Sequence, residues 1–81
     1  MTVQVLFFAR LKEIFGESSR RIQLTENATV HELVRTLSHE SHELFVNELP
    51  LIFAVNENFE PGNTSLKEGD VVALMTPVSG G

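Results

Sequence analysis

Thr29-Val30-His31-Glu32-Leu33-Val34-Arg35-Thr36-Leu37 is the stretch that decides the fold. Thr29 with Glu32 three residues on is a capping box: the hydroxyl takes the N–H of the third helical residue and the glutamate reaches back to the cap. Val30, Leu33, Val34 and Leu37 recur at i, i+3, i+4 and i+7, one apolar stripe on an otherwise polar surface. The spacing predicts a helix that starts after Thr29, fades near His39 and has a single face to bury.

The flanking segments supply a sheet for that face. On the N-terminal side, Thr2 to Phe8 alternates, with Val3, Val5 and Phe7 on one side and Gln4, Leu6 and Phe8 on the other. Adjacent phenylalanines at a strand end point to opposite sides, so either both faces are covered or one ring is left for a partner. Leu11, Ile14 and Phe15 have helical spacing and Gly16 is placed to cap one to two turns. Arg20 to Leu24 alternates again, Ile22 and Leu24 inward. On the C-terminal side, Leu51 to Val55 reads as a strand after Pro50, and Asn56-Glu57-Asn58 has turn chemistry. Phe59 follows, then turns at Pro61-Gly62-Asn63-Thr64 and Lys67-Glu68-Gly69-Asp70. Val71 to Met75 is apolar in both phases, as expected of a strand buried between neighbours.

Strand, short helix, strand, main helix, strand, turn region, strand is the order of an α+β, β-grasp (ubiquitin-like) domain, a mixed sheet packed against one main helix. One stripe covers one sheet face; the other is left partly open to solvent or a partner. We expect this domain to occupy residues 1–76, with 77–81 an extended, flexible Gly-Gly tail.

Eighty-one residues hold one modest core. Without cysteine there is no disulfide, thiolate zinc site or cysteine nucleophile, and packing alone must hold the fold. No apolar run approaches the ~20 residues that span a bilayer, and Met1-Thr2-Val3-Gln4 has no basic signal-peptide region, so no membrane association is expected and a cytoplasmic location is the default. A net charge of −5 disfavours nucleic acid and favours partners with basic surfaces.

Ser38-His39-Glu40-Ser41-His42-Glu43 is polar but lacks the His-Glu-x-x-His spacing of zinc proteases, and Arg35 stands four residues after His31. It reads as a solvated helix end, and no metal site is expected. Nor is there a phosphate loop or a Ser-His-Asp set, so a self-sufficient catalyst is not expected.

The chemistry is left to Thr76-Pro77-Val78-Ser79-Gly80-Gly81. Pro77 favours an extended Thr76, and the five residues beyond it could reach about 17 Å. Two glycines make a peptide thin enough for a channel that any Cβ would block. A terminal carboxylate with a pKa of ~3.5 is ionised and unreactive at neutral pH, but ATP can activate it for exchange with another nucleophile.

Val5-Leu6-Phe7-Phe8-Ala9-Arg10-Leu11-Lys12-Glu13, Ala54-Val55-Asn56, Gly69-Asp70-Val71-Val72-Ala73 and the final Pro77-Val78-Ser79-Gly80-Gly81 resemble the small subunits of molybdopterin synthase, the MoaD family. The likeness covers nearly the whole chain and is weakest from Ser38 to Pro50. It implies that an activating enzyme related to the ubiquitin-activating enzymes adenylates Gly81 with ATP, and that sulfur transfer makes a thiocarboxylate. Gly80 lets the tail thread into the large subunit, where sulfur passes to the cyclic pyranopterin precursor. The large subunit, in an expected heterotetramer, would provide the catalytic groups; the small subunit binds no cofactor of its own. Matching positions imply that Phe8, Phe59 and Met75 form an apolar contact patch on the open face, with Pro77 and Val78 also against the partner. Strand parity independently separates Phe8 from Val3, Val5 and Phe7, although all three patch residues would also fit a core. A thiamine or tRNA sulfur carrier would use the same tail, a ubiquitin-like modifier would be joined through Gly81 to lysines, and a plain binding domain would not need Gly80 and Gly81.

Overall fold

The computed structural model describes residues 1–40 and 50–77. Its elements are β1 (Thr2–Phe7), α1 (Arg10–Phe15), β2 (Ser19–Gln23), α2 (Val30–Ser38), β3 (Ile52–Val55), β4 (Asn58–Phe59) and β5 (Val71–Met75). The strands form one sheet in the order β2-β1-β5-β3-β4. At its centre β1 and β5 run parallel, with Val5 opposite Val72 and Phe7 opposite Leu74. The pairs β1–β2, β3–β5 and β3–β4 are antiparallel. This is the mixed sheet of a β-grasp fold.

Helix α2 forms as its sequence dictates. The Thr29 hydroxyl accepts from the Glu32 N–H at 3.2 Å, and the Glu32 carboxylate accepts from the Thr29 N–H at 3.3 Å. Val30, Leu33 and Leu37 are fully buried and Val34 packs beside them. They meet Val3, Val5, Phe7, Ile22, Val55, Val72 and Leu74 from the sheet, with Leu11 of α1 and Leu66 closing the layer. Each such side chain contributes about 1.5–3 kcal/mol on leaving water. Gly16 ends α1 at φ 70°, its N–H donating to the Lys12 carbonyl at 2.9 Å.

The edge of the core is sealed by Arg20, whose guanidinium lies over the rings of Phe7 and Phe15 and pairs with Glu17 and Glu40. Those hydrogen bonds, Glu17 before Glu40, raise its pKa above the ordinary arginine value. The loop before β5 docks on the start of α2. The N–H of His31 donates to the Gly62 carbonyl at 2.9 Å and that of Val30 to Thr64 at 3.1 Å, which satisfies donors a helix start leaves open.

Two expectations are corrected. The final strand does lie between neighbours, but only Val72 and Leu74 are buried; Val71, Ala73 and Met75 are half-exposed. Helix α2 covers one face, and no described element covers the other. Residues 58 and 59, expected as a turn end and its sequel, form β4 instead. Asn56 and Glu57 take φ values of 50° and 72°, a two-residue hairpin loop that pairs Val55 with Asn58 and Ala54 with Phe59. No helix among the described residues is long and apolar enough to cross a membrane.

Candidate functional site: the open sheet face and the tail exit

Side chains opposite one another in a sheet share a face, so register locates every residue of the side that α2 leaves open. In β1 and β5 Leu6 lies opposite Ala73, and Phe8, the residue after Phe7, falls on the side of Leu6, its N–H donating to the Leu74 carbonyl next to Met75 at 3.2 Å. Met75 is opposite Ile52, Ala73 opposite Ala54, and Ala54 opposite Phe59. Phe8, Met75, Ile52, Leu6, Ala73 and Phe59 therefore form one continuous apolar surface across four strands.

The exposures decide between core and surface. Phe7 is 2% exposed and its neighbour Phe8 46%; Ile52 is 37% and Phe59 77% exposed. The two adjacent phenylalanines divide as parity requires, one stacked on Phe15 in the core at 4.7 Å between centroids and one facing out. Met75 is half-buried between its neighbours. At ~200 Å² per large side chain, the three exposed residues leave roughly 300 Å² of apolar surface, the size of a functional patch on a monomer. Leu6 was placed on the Phe8 side of its strand but not named as a contact residue, and Ile52 and Ala73 were not singled out in the sequence. Their signal was the outward phase of strands whose pairing partners were not yet known.

At the β3–β4 edge of the sheet lies a shallow pocket of about 410 Å³ lined by Leu51, Ile52, Phe53, Phe59, Glu60, Pro61 and Gly62. The His31 ring meets Phe53 edge-on at 6.2 Å and fills the space that a Cβ on Gly62 would need. A hydrogen-bonded clamp fixes the start of β5 to the β3–β4 hairpin. The Asn56 side-chain amide donates to Asp70 at 2.9 Å and its oxygen accepts from the Val71 N–H at 3.0 Å. Asp70 also accepts from the Lys67 N–H at 2.8 Å.

The chain leaves β5 at Met75, beside Phe8 and Ile52; Thr76 is half-buried and Pro77 exposed. Val78, Gly80 and Gly81, and with them most of the expected tail, lie outside the described residues, as do Ser41, His42 and Glu43 of the polar stretch. Among the described residues no three His, Asp or Glu side chains converge as metal ligands. Ser38 is the one buried polar side chain among them, its hydroxyl donating to the Arg35 carbonyl. What the described surface offers is apolar contact at the root of a tail.

Known proteins resemble the chain over nearly its whole length. Residues 5–81 match the ThiS family. The molybdopterin synthase sulfur carrier subunit of Haemophilus influenzae is 32% identical over 82 residues, covering 98% of this chain and 99% of that protein. Among solved structures, a protein–protein complex of subunits 1 and 2 of the molybdopterin-converting factor from Helicobacter pylori contains a chain 31% identical to this one, with full coverage of both and a TM-score of 0.64. SAMP1 from Haloferax volcanii shares the fold, with a TM-score of 0.85 at 24% identity and full coverage of both chains. The chain thus belongs to the ThiS family.

Proposed function

We propose that this chain is the sulfur-carrier subunit of a molybdopterin synthase, docking on the large subunit through its open face and delivering sulfur from Gly81. The observation that carries the reading is that Phe8, Ile52 and Met75 surround the end of the strand from which the tail departs, with Phe59 extending the same face. Relatives that carry sulfur for molybdopterin synthase match the chain over nearly its whole length, which supports the assignment. A patch of roughly 300 Å² falls short of the about 800 Å² per partner of a standard interface, so docking needs Pro77, Val78 and the threaded glycines as well. The net charge of −5 suits a large subunit whose matching apolar surface is rimmed by basic residues.

The chemistry follows from the acyl terminus. A carboxylate oxygen of Gly81 attacks the α-phosphorus of ATP on an activating enzyme and pyrophosphate leaves. Hydrosulfide supplied by the donor attacks the acyl carbon, the acyl carbon–oxygen bond to AMP breaks, AMP departs, and the product is a thiocarboxylate. Within the large subunit that sulfur attacks a carbon of the cyclic pyranopterin precursor and displaces the oxygen substituent there, which leaves protonated, so that Gly81 and the pterin are joined as a thioester. Water then cleaves the acyl carbon–sulfur bond, leaving sulfur on the pterin and restoring the Gly81 carboxylate. Two deliveries make one dithiolene. General acid and base groups come from the large subunit, the assembly is a heterotetramer, and the reaction belongs to the cytoplasm.

The test is thiol-selective alkylation after incubation with ATP, an activating enzyme and a sulfur source. Because the chain has no cysteine, label mapped to Gly81 reports the thiocarboxylate alone. Label on the full chain and none on a chain lacking Gly81 is the expected result. No label from an enzyme active on another carrier would refute the proposal.

A further inference from the structure

Ala9 stands at φ 50°, ψ −122°. The Phe8 carbonyl accepts from the Leu11 N–H at 3.0 Å, so Phe8 to Leu11 form a type II′ turn with Ala9 where glycine is the usual residue. A Cβ at positive φ strains the backbone, and such strain persists only where surrounding structure imposes it. Here both sides impose it. The Phe8 N–H donates to the Leu74 carbonyl at 3.2 Å, the Ala9 carbonyl accepts from the Lys12 N–H at 3.1 Å, and Leu11 is fully buried.

Among the described residues the other positive-φ residues outside glycine are Asn27, Asn56 and Glu57. Asparagine tolerates this region, and Glu57 completes a hairpin loop that demands it. Ala9 has neither excuse: it is exposed, and as the N-cap of α1 its side chain makes no cap hydrogen bond. Glycine there would remove the strain, so its absence is not explained by stability. A Cβ does supply restriction, because it closes most of the positive-φ conformations that glycine visits freely. The residue that precedes it in the turn is Phe8, the half-exposed ring on the open face.

We infer that Ala9 is a positioning residue, trading local strain for a fixed placement of Phe8 at the root of the tail. The inference rests on the docking role proposed for Phe8. It is tested by a double-mutant cycle of Ala9→Gly and Phe8→Ala in the full chain, with affinity for the large subunit read by calorimetry and stability by thermal melting. Ala9→Gly should melt no lower than the parent yet bind about fivefold more weakly, the scale of backbone freedom regained by one residue. In the Phe8→Ala background it should change affinity less than twofold. Unchanged affinity for Ala9→Gly where Phe8→Ala binds weakly overturns the inference, as does an equal loss in both backgrounds. If Phe8→Ala binds like the parent, the docking role fails instead, and side-chain NMR relaxation of the free chain decides on Ala9. A more mobile Phe8 ring in Ala9→Gly then supports positioning, and an unchanged ring rules it out.

Discussion

Replacing Phe59 by alanine separates a docking residue from a structural one. With 77% of the residue exposed, about 150 Å² of a ~200 Å² side chain remains for a partner to cover, worth up to ~4 kcal/mol at ~25 cal/mol per Å². Imperfect complementarity lowers this, so we expect a loss of about 2–4 kcal/mol, or roughly 30- to 800-fold in Kd. The portion already covered within the chain is ~50 Å², so the fold should lose no more than about 1 kcal/mol. Phe7 is the internal control: buried and stacked on Phe15, its change to alanine should cost about 3–5 kcal/mol of stability. Titration calorimetry against the large subunit measures the first quantity and urea unfolding the second. A Phe59→Ala chain that binds within twofold of the parent, or loses as much stability as Phe7→Ala, would show that the open face is not read as described.

Glu57→Gly should stabilise the chain by about 1 kcal/mol in urea unfolding, because the second loop residue of the β3–β4 hairpin sits at φ 72°, where a Cβ is disfavoured. Asn56→Ala should cost about 2–4 kcal/mol, from two lost hydrogen bonds and a φ of 50° that alanine resists. Asn56→Gly, which keeps the turn and loses only the bonds, should cost about half of that, and equal losses would discount the backbone contribution. Gly62→Ala drives a Cβ into the His31 ring, so the ring must swing off Phe53. Giving up that edge contact should cost about 0.5–1.5 kcal/mol in thermal melting. A further His31→Ala change should then add little; additive losses would show that backbone, not the ring, yields.

Much of the fold was legible because its signals are local. The capping box of Thr29 and Glu32 and the stripe from Val30 to Leu37 are set by residues within two turns of each other, and they form α2 as read. The Gly16 cap and the bounds of β5 need no distant partner either. Strand β4 was not legible: Asn58 and Phe59 carry no period of their own, and they pair only because Asn56 and Glu57 both accept positive φ. Exposure was legible only as a choice. Alternation put Phe7 and Phe8 on opposite faces, but which was buried depended on where α2 lay.

By itself the sequence determined the element types, the one-sided helix and the chemical character of the tail, all properties of neighbouring residues. Family-like motifs at both ends carried the resemblance on which the role proposed for that tail rests. Only the tertiary structure decided that β1 and β5, the first and last strands, run side by side. That pairing puts Phe8 and Met75 at the same end of the open face, and the β3 and β4 registers add Ile52 and Phe59 to it. The strain at Ala9 was likewise invisible, since alanine has no local preference for positive φ. It arises where β1 ends in a parallel ladder and Leu11 must reach the core, two demands placed on one residue from distant parts of the chain.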